Sequence, residues 1–348
     1  MANTLLLKAT KTKPKSLNLT NKGLERIPAL LGRIVSLQTV SFKNNQLEDL
    51  CDEIAELRQL TFVNVGNNKL KDIPQQLRHL PKLQSLHIFG NEILQLNSTT
   101  LGSLHNLTLL NLNDNALRSL PSDISRLKRL QTLSLDRNQL VSLPQEIGQL
   151  GELRELHVAD NHLTSVPDSI GQLKNLSKLY LRKNQISHLS SAIEGCFKLS
   201  VLDVSVNRLV TLPSEIKTLP LSELYTEANR LLREKPVVSE QVEEVFLLKE
   251  LAARLVLKHL KDRSFQMNFA LLSRDGGGNL RQTLALAKKC AVCGELFLNT
   301  WLECVQFVDA KKKFRLMNNP GIIPLRILLC SYKCFNADGH EFYGVSSL

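Results

Sequence analysis

Five of the seven cysteines fall in the last 60 residues: Cys290, Cys293, Cys304, Cys330 and Cys334. Cys290-Ala-Val-Cys293-Gly is a C-x-x-C-G knuckle, and Cys330-Ser-Tyr-Lys-Cys334 is a C-x-x-x-C pair that follows after 36 residues. Two such pairs supply four thiolates, the tetrahedral set of a structural zinc ion, and short loops let backbone amides point at the sulfurs. Gly294 suits the sharp turn after the second ligand. Four thiolates leave no open position for water, so the expected metal is structural rather than catalytic. Cys304 and His340 stay open as replacements for one of the four. An odd cysteine total and an N-terminal apolar run limited to Leu5–Leu7 argue against a secreted disulfide framework. No βαβ pattern surrounds Cys290 and Cys293, as a redox pair needs. His340-Glu341 does not extend to H-E-x-x-H, because Gly344 takes the last place. Nothing assembles a nucleophile, a base and an oxyanion site, so no enzyme is expected.

The elements that must carry this cluster follow a long internal repeat. The string L-x-x-L-x-L-x-x-N-x-L recurs with its Asn at nine positions from Asn45 to Asn229, at intervals of 22 to 24 residues. A degenerate first copy has Leu17, Leu19 and Leu24, with Lys22 in the Asn place. Each L-x-L, such as Leu133 and Leu135, reads as a short strand with both leucines inward. The Asn is expected to satisfy backbone groups where the chain leaves the strand. The return arm reads L-P-x-x-I-x-x-L, as in Leu143-Pro144 to Leu150, with Pro setting a turn before a short helical segment. One repeat cannot bury its own leucines; a stack buries a continuous core.

This period and return arm resemble the short intracellular leucine-rich repeats of the Ras-associated type, found also in scribble-like scaffolds. The resemblance covers about residues 15–232. It implies an α/β solenoid with a curved parallel sheet and short helical return arms. In such a fold the exposed strand positions form a concave face where a partner protein binds. The central row of that face runs from Ser41 through His87 and His157 to Tyr180 and Tyr225. Phe62, His87, Phe89 and Leu109 make an apolar patch on it, and His157, Tyr180, Arg182 and Tyr225 are further candidate contact residues of the same face. Exposed aromatics beside charged groups are the usual anchors of protein interfaces.

Beyond Leu232 the period stops. Glu240–Leu260 reads as a helix without Gly or Pro, with Ser239 as N-cap and an acidic first turn. Its plain role is to seal the end of the solenoid. Leu248, Ala252 and Val256 give L-x-x-x-A-x-x-x-V, similar to the elongin-binding box of ubiquitin-ligase substrate receptors, although that box has Cys where Ala252 stands. Ile323-Pro324-Leu325 is similar to the cullin-recognition segment that follows such boxes. That resemblance implies elongin and cullin partners. Leu296–Val308 is rich in strand formers, with Trp301 and Phe307 on one side and Leu302 and Cys304 on the other. Four tail segments, Leu251–Arg254, Cys290–Gly294, Trp301–Val305 and Cys330–Phe335, resemble the leucine-rich repeat-containing protein 69 family of vertebrates.

The expected layout is therefore a lead at 1–14, about ten repeats at 15–232, a capping helix and linker at 233–285, and a Cys-rich zinc-binding module at 286–348. The expected function is non-enzymatic: a scaffold or signalling adaptor. A ligase substrate receptor is the alternative, and a nucleic-acid-binding zinc module stands last. The net charge of +11 is spread, with a surplus of six before residue 233 and five after it. Lys311–Lys313 and Arg315 form the one tight basic run, and no interleaved aromatics mark a nucleic-acid face. With 43% hydrophobic and 22% charged residues, disorder is disfavoured. No apolar run is long enough for a membrane helix. A cytoplasmic location is expected, with the nucleus second.

Overall fold

The computed structural model describes residues 2–232, 248–259, 284, 287–298, 302–314, 316, 318, 320–335, 337 and 339–344. The chain divides into two compact units. One holds residues 1–210, 215–230 and 310–321; the other holds 211–214, 231–309 and 322–348.

In the first unit each L-x-L becomes a three-residue strand. The strands are β1 (Ser16–Asn18), β2 (Thr39–Ser41), β3 (Phe62–Asn64), β4 (Ser85–His87), β5 (Leu109–Asn111), β6 (Thr132–Ser134), β7 (Glu155–His157), β8 (Lys178–Tyr180), β9 (Val201–Asp203) and β11 (Glu223–Tyr225). They make one parallel sheet of ten strands in chain order. Equivalent residues pair, as in Leu133↔Leu156 and Leu156↔Leu179. In β2–β8 and β11 the middle residue is buried and its neighbours are partly exposed, so a slip of one residue would turn the leucines outward.

The return arms are single 3-10 turns such as Gln145–Gln149 and Asp168–Gln172. Pro144 and Pro167 precede them at φ −69° and −66°, values the proline ring imposes. Ile147 and Ile170 in these turns are fully buried. The repeat between Asn91 and Asn115 is 24 residues long, and there the arm is instead an α-helical turn, α2 (Ser98–Ser103). Asn97 caps it, accepting from the backbone N–H groups of Thr99 and Thr100.

Both ends of the array are covered. Residues 1–14, expected as a lead, contain α1 (Ala2–Thr12), which buries Leu6 and Ala9 and packs on the Ala29–Arg33 turn. At the other end, the segment with α4 (Ala310–Phe314) belongs to the repeat unit. From it, Asn318 Oδ1 accepts from Leu224 N at 3.1 Å, and Asn318 Nδ2 donates to Leu224 O at 2.6 Å. One carboxamide thus takes the place of a further strand on the edge of β11.

The second unit contains α3 (Leu248–His259), a hairpin of β12 (Lys288–Lys289) and β13 (Leu296–Phe297), and the long strands β14 (Leu302–Asp309) and β15 (Ile322–Leu329). β14 and β15 are antiparallel and sit between β10 (Leu212–Pro213) and β16 (Tyr343–Gly344). A short helix, α5 (Tyr332–Phe335), follows β15. The helix expected over Glu240–Leu260 is described from Leu248 onward. Trp301, and the side chains of Leu248 and Ala252, lie outside the described residues.

Candidate functional site

The sequence folds the first cysteine pair into the bend of the β12–β13 hairpin. Cys290 N donates to Glu295 O at 2.9 Å, Gly294 N donates to Cys290 O at 3.0 Å, and Gly294 takes φ +75°. Only glycine enters that backbone region readily. Ala291 N donates to Leu328 O and ties the knuckle to β15, whose end delivers Cys330. One turn of α5 then brings in Cys334. The four sulfurs lie within 4.8 Å of one another; Cys330 Sγ is 3.5 Å from both Cys293 Sγ and Cys334 Sγ. Zn–S bonds of about 2.3 Å at tetrahedral angles put sulfurs about 3.8 Å apart. All four are free thiols, three buried and Cys293 exposed. Donor set, spacing and knuckle backbone therefore fit a tetrahedral thiophilic ion held by Cys290, Cys293, Cys330 and Cys334.

The electrostatics single out Cys290. Burial raises its thiol, but backbone donors at Cys293, Cys330 and Val292 outweigh that and bring it down to about 7. Burial pushes Cys330 and Cys334 up. Ser331 braces this end, its Oγ 3.7 Å from Cys330 Sγ and accepting from Cys334 N at 3.2 Å. Arg254 of α3 donates to Cys330 O at 2.7 Å. Neither residue carries a signal for these roles in its type or its spacing from the cysteines.

Neither substitute ligand belongs to the cluster. Cys304 is fully buried beside Phe297, Ile327 and Leu329, and desolvation holds its thiol up at about 12. It is a neutral packing residue. His340 Nε2 lies 2.8 Å from Phe335 O and 3.2 Å from Cys334 O, while Nδ1 accepts from Phe342 N. Both ring nitrogens are used, in the tautomer with hydrogen on Nε2.

The concave face is built by the odd positions of the short strands. Phe62 and His87 meet across β3 and β4 with ring centroids 5.1 Å apart. His157 stacks on Tyr180 across β7 and β8 at 4.6 Å. Leu109 lies in register with Ser85 on the Phe62 row. Phe89 also serves packing: a Cβ on Gly66 would come within 2.5 Å of its ring, and Lys43 Nζ sits 5.3 Å from the ring centre. Burial lowers the His87 pKa. Glu155 pairs with Lys178 at 2.9 Å, and that hydrogen bond holds the carboxyl below its usual range. Arg182 is exposed, and Tyr225 donates to Glu223 at 2.7 Å. Four of the eight residues thus meet as two ring pairs, Phe62–His87 and His157–Tyr180.

The ligase-like residues fare differently. Val256 is partly buried against Ala253, Leu257 and Leu284. Ile323 and Leu325 are fully buried inside β15, with Pro324 opposite Phe307. The segment that looked like a docking motif is the interior of a sheet. Lys311–Lys313 are exposed on α4 of the repeat unit, and Arg315 lies outside the described residues.

Strands at a 23-residue period, 3-10 return arms and a ladder of buried asparagines define a leucine-rich-repeat solenoid. Family models agree: "leucine rich repeat" matches residues 35–93 and "leucine-rich repeat region" matches 90–183. A leucine-rich-repeat protein of Leptospira interrogans is 30% identical, with a TM-score of 0.58 over 66% of this chain and 65% of that one. The Toll–Spatzle complex of Drosophila shares the fold at 23% identity and a TM-score of 0.54, over 61% of this chain and 31% of that one. Leucine-rich repeat-containing protein 69 is 43% identical in Xenopus laevis over 136 residues and 36% identical in Homo sapiens over 128. These relatives support the leucine-rich repeat-containing protein 69 family. The chain aligns with 39% of the length of the first and 36% of the second.

Proposed function

We propose that the chain is a non-enzymatic scaffold or adaptor that binds a partner protein on its concave face and holds a structural zinc ion in its second unit. The observation that carries the binding reading is the pair of half-buried ring clusters, Phe62–His87 and His157–Tyr180, on a face that water alone would not require to be aromatic. The Toll–Spatzle structure, which shares the fold, is that of a complex, in keeping with interaction as one use of this fold. Nothing comparable favours the ligase alternative. The test is a photo-crosslinking amino acid placed at Asn111, between the clusters, and separately at Glu146 on a return arm. Protein adducts from position 111 alone support the reading; equal adducts from both overturn it. For the metal, one equivalent of zinc in the purified chain, lost in Cys290→Ser, is the expected result.

A further inference from the structure

Near the C-terminal end of the array one row of the concave face has a composition of its own. Tyr180, Asp203 and Tyr225 hold the same ladder position on β8, β9 and β11, so each lies about 4.8 Å from the next. His157 stacks on Tyr180 from the preceding strand, which covers that face of the ring and leaves the other toward Asp203. Asp203 Oδ1 accepts from Ser205 N at 2.9 Å and from Ser205 Oγ at 2.6 Å, which fixes the carboxylate while Oδ2 keeps its lone pairs. Tyr225 donates to Glu223 Oε2 and so holds a second carboxylate beside the row.

The surrounding charge has a definite sign. The outward positions of β6 to β11 and the residues just after them carry Asp136, Glu155, Asp203, Glu223 and Glu227 against Lys178 and Arg182. Lys178 is already spent on Glu155. In β2 to β5 the same positions carry Lys43 as their one formal charge, together with Phe62, Phe89 and Leu109. A chain of net charge +11 thus concentrates acid on this half of its binding face. Burial and the carboxylates Glu155, Glu223 and Asp203 raise the Tyr180 hydroxyl, and the hydrogen bond to Glu223 raises that of Tyr225, so both rings are neutral phenols at pH 7.

A carboxylate between two aromatic side chains about two strand spacings apart suits one cationic group, which gains ring contacts on both sides and a charge-assisted hydrogen bond below. We propose that Tyr180, Asp203 and Tyr225 seat an arginine or lysine side chain from a partner protein segment whose apolar residues reach Phe62 and Leu109. This rests on the concave-face reading and names the chemistry of its partner. From β3 to β9 the face spans about 29 Å, within the reach of an extended dodecapeptide.

The experiment selects phage-displayed random dodecapeptides on the full chain and measures the best binder against wild type, Asp203→Asn and Phe62→Ser, with each fold checked by thermal midpoint. Enrichment of Arg or Lys is expected, separated by several residues from an apolar one. Asp203→Asn should weaken binding about ten-fold or more, and replacing the peptide arginine by citrulline, or its lysine by norleucine, should do the same. Combining the protein and peptide changes should then cost little extra. Peptides lost with Phe62→Ser but indifferent to Asp203→Asn would overturn the cation seat and leave the binding face standing. Peptides indifferent to both variants, or no selectable peptide, would overturn both.

Discussion

Asn138 carries out in one carboxamide what the repeat needs at every turn. Its Oδ1 accepts from Leu117 N at 3.0 Å, and its Nδ2 donates to Leu112 O and Leu135 O, both at 3.0 Å. These groups are buried, so Asn138→Ala leaves them unpaired and should cost about 1–3 kcal/mol, read as a lower denaturant midpoint. The residue before each ladder Asn takes a positive φ between 52° and 63°. Asn44, Asn67 and Asp114 suit that region, whereas Val206 at φ 55° does not. Its branched Cβ crowds the backbone there, and Val206→Gly should raise stability by about 1 kcal/mol, visible as a higher melting midpoint. Cys290→Ser removes a thiolate that three backbone donors already favour. It should abolish zinc stoichiometry and expose residues 287–298 and 322–344 to protease while the repeats stay protected.

At the scale of elements, edges and turns decide what the pieces do. A parallel sheet must end somewhere, and an unpaired edge templates further association. Here the carboxamide of Asn318 meets both polar groups of Leu224. Asn318→Ala should speed amide exchange at Leu224 by at least ten-fold while leaving Leu156, in the middle of the sheet, unchanged. The β12–β13 hairpin works similarly for chemistry: its bend sets two thiols, and its tether to β15 sets the distance to the other two. Ile323-Pro324-Leu325, similar in sequence to a cullin-recognition segment, is instead part of β15, with Ile323 and Leu325 fully buried. The apolar run on either side of Pro324, Ile322 to Leu329, was the signal that pointed to a strand.

Across the whole molecule, the array draws its stability from neighbours rather than from any one repeat. Leu133, Leu156 and Leu179 are fully buried, each contributing about 1.5–3 kcal/mol by leaving water. Deleting core volume in the middle, as in Ile147→Ala, should cost about 2–5 kcal/mol and split a single unfolding transition into two. The same change in the end-covering helix, Leu6→Ala, should instead fray the N-terminal repeats alone, which hydrogen exchange would locate. Among the described residues no helix is long and apolar enough to cross a membrane.

What was legible in the sequence was everything written as period. The 23-residue spacing, the inward leucines, the ladder asparagines and the proline turns are local or nearest-neighbour features, so a linear pattern encodes them. The four cysteines were legible for the same reason: metal-ligand pairs sit close in the chain. What only the tertiary structure decided involves partners far apart in sequence. Asn318 sealing Leu224, Arg254 holding Cys330, and Cys304 buried rather than ligating arise from contacts across tens of residues, for which no spacing rule exists. The row Tyr180, Asp203, Tyr225 lies between these cases. Each residue was visible at its place in the repeat, and the stacking of strands at one spacing made the three into neighbours.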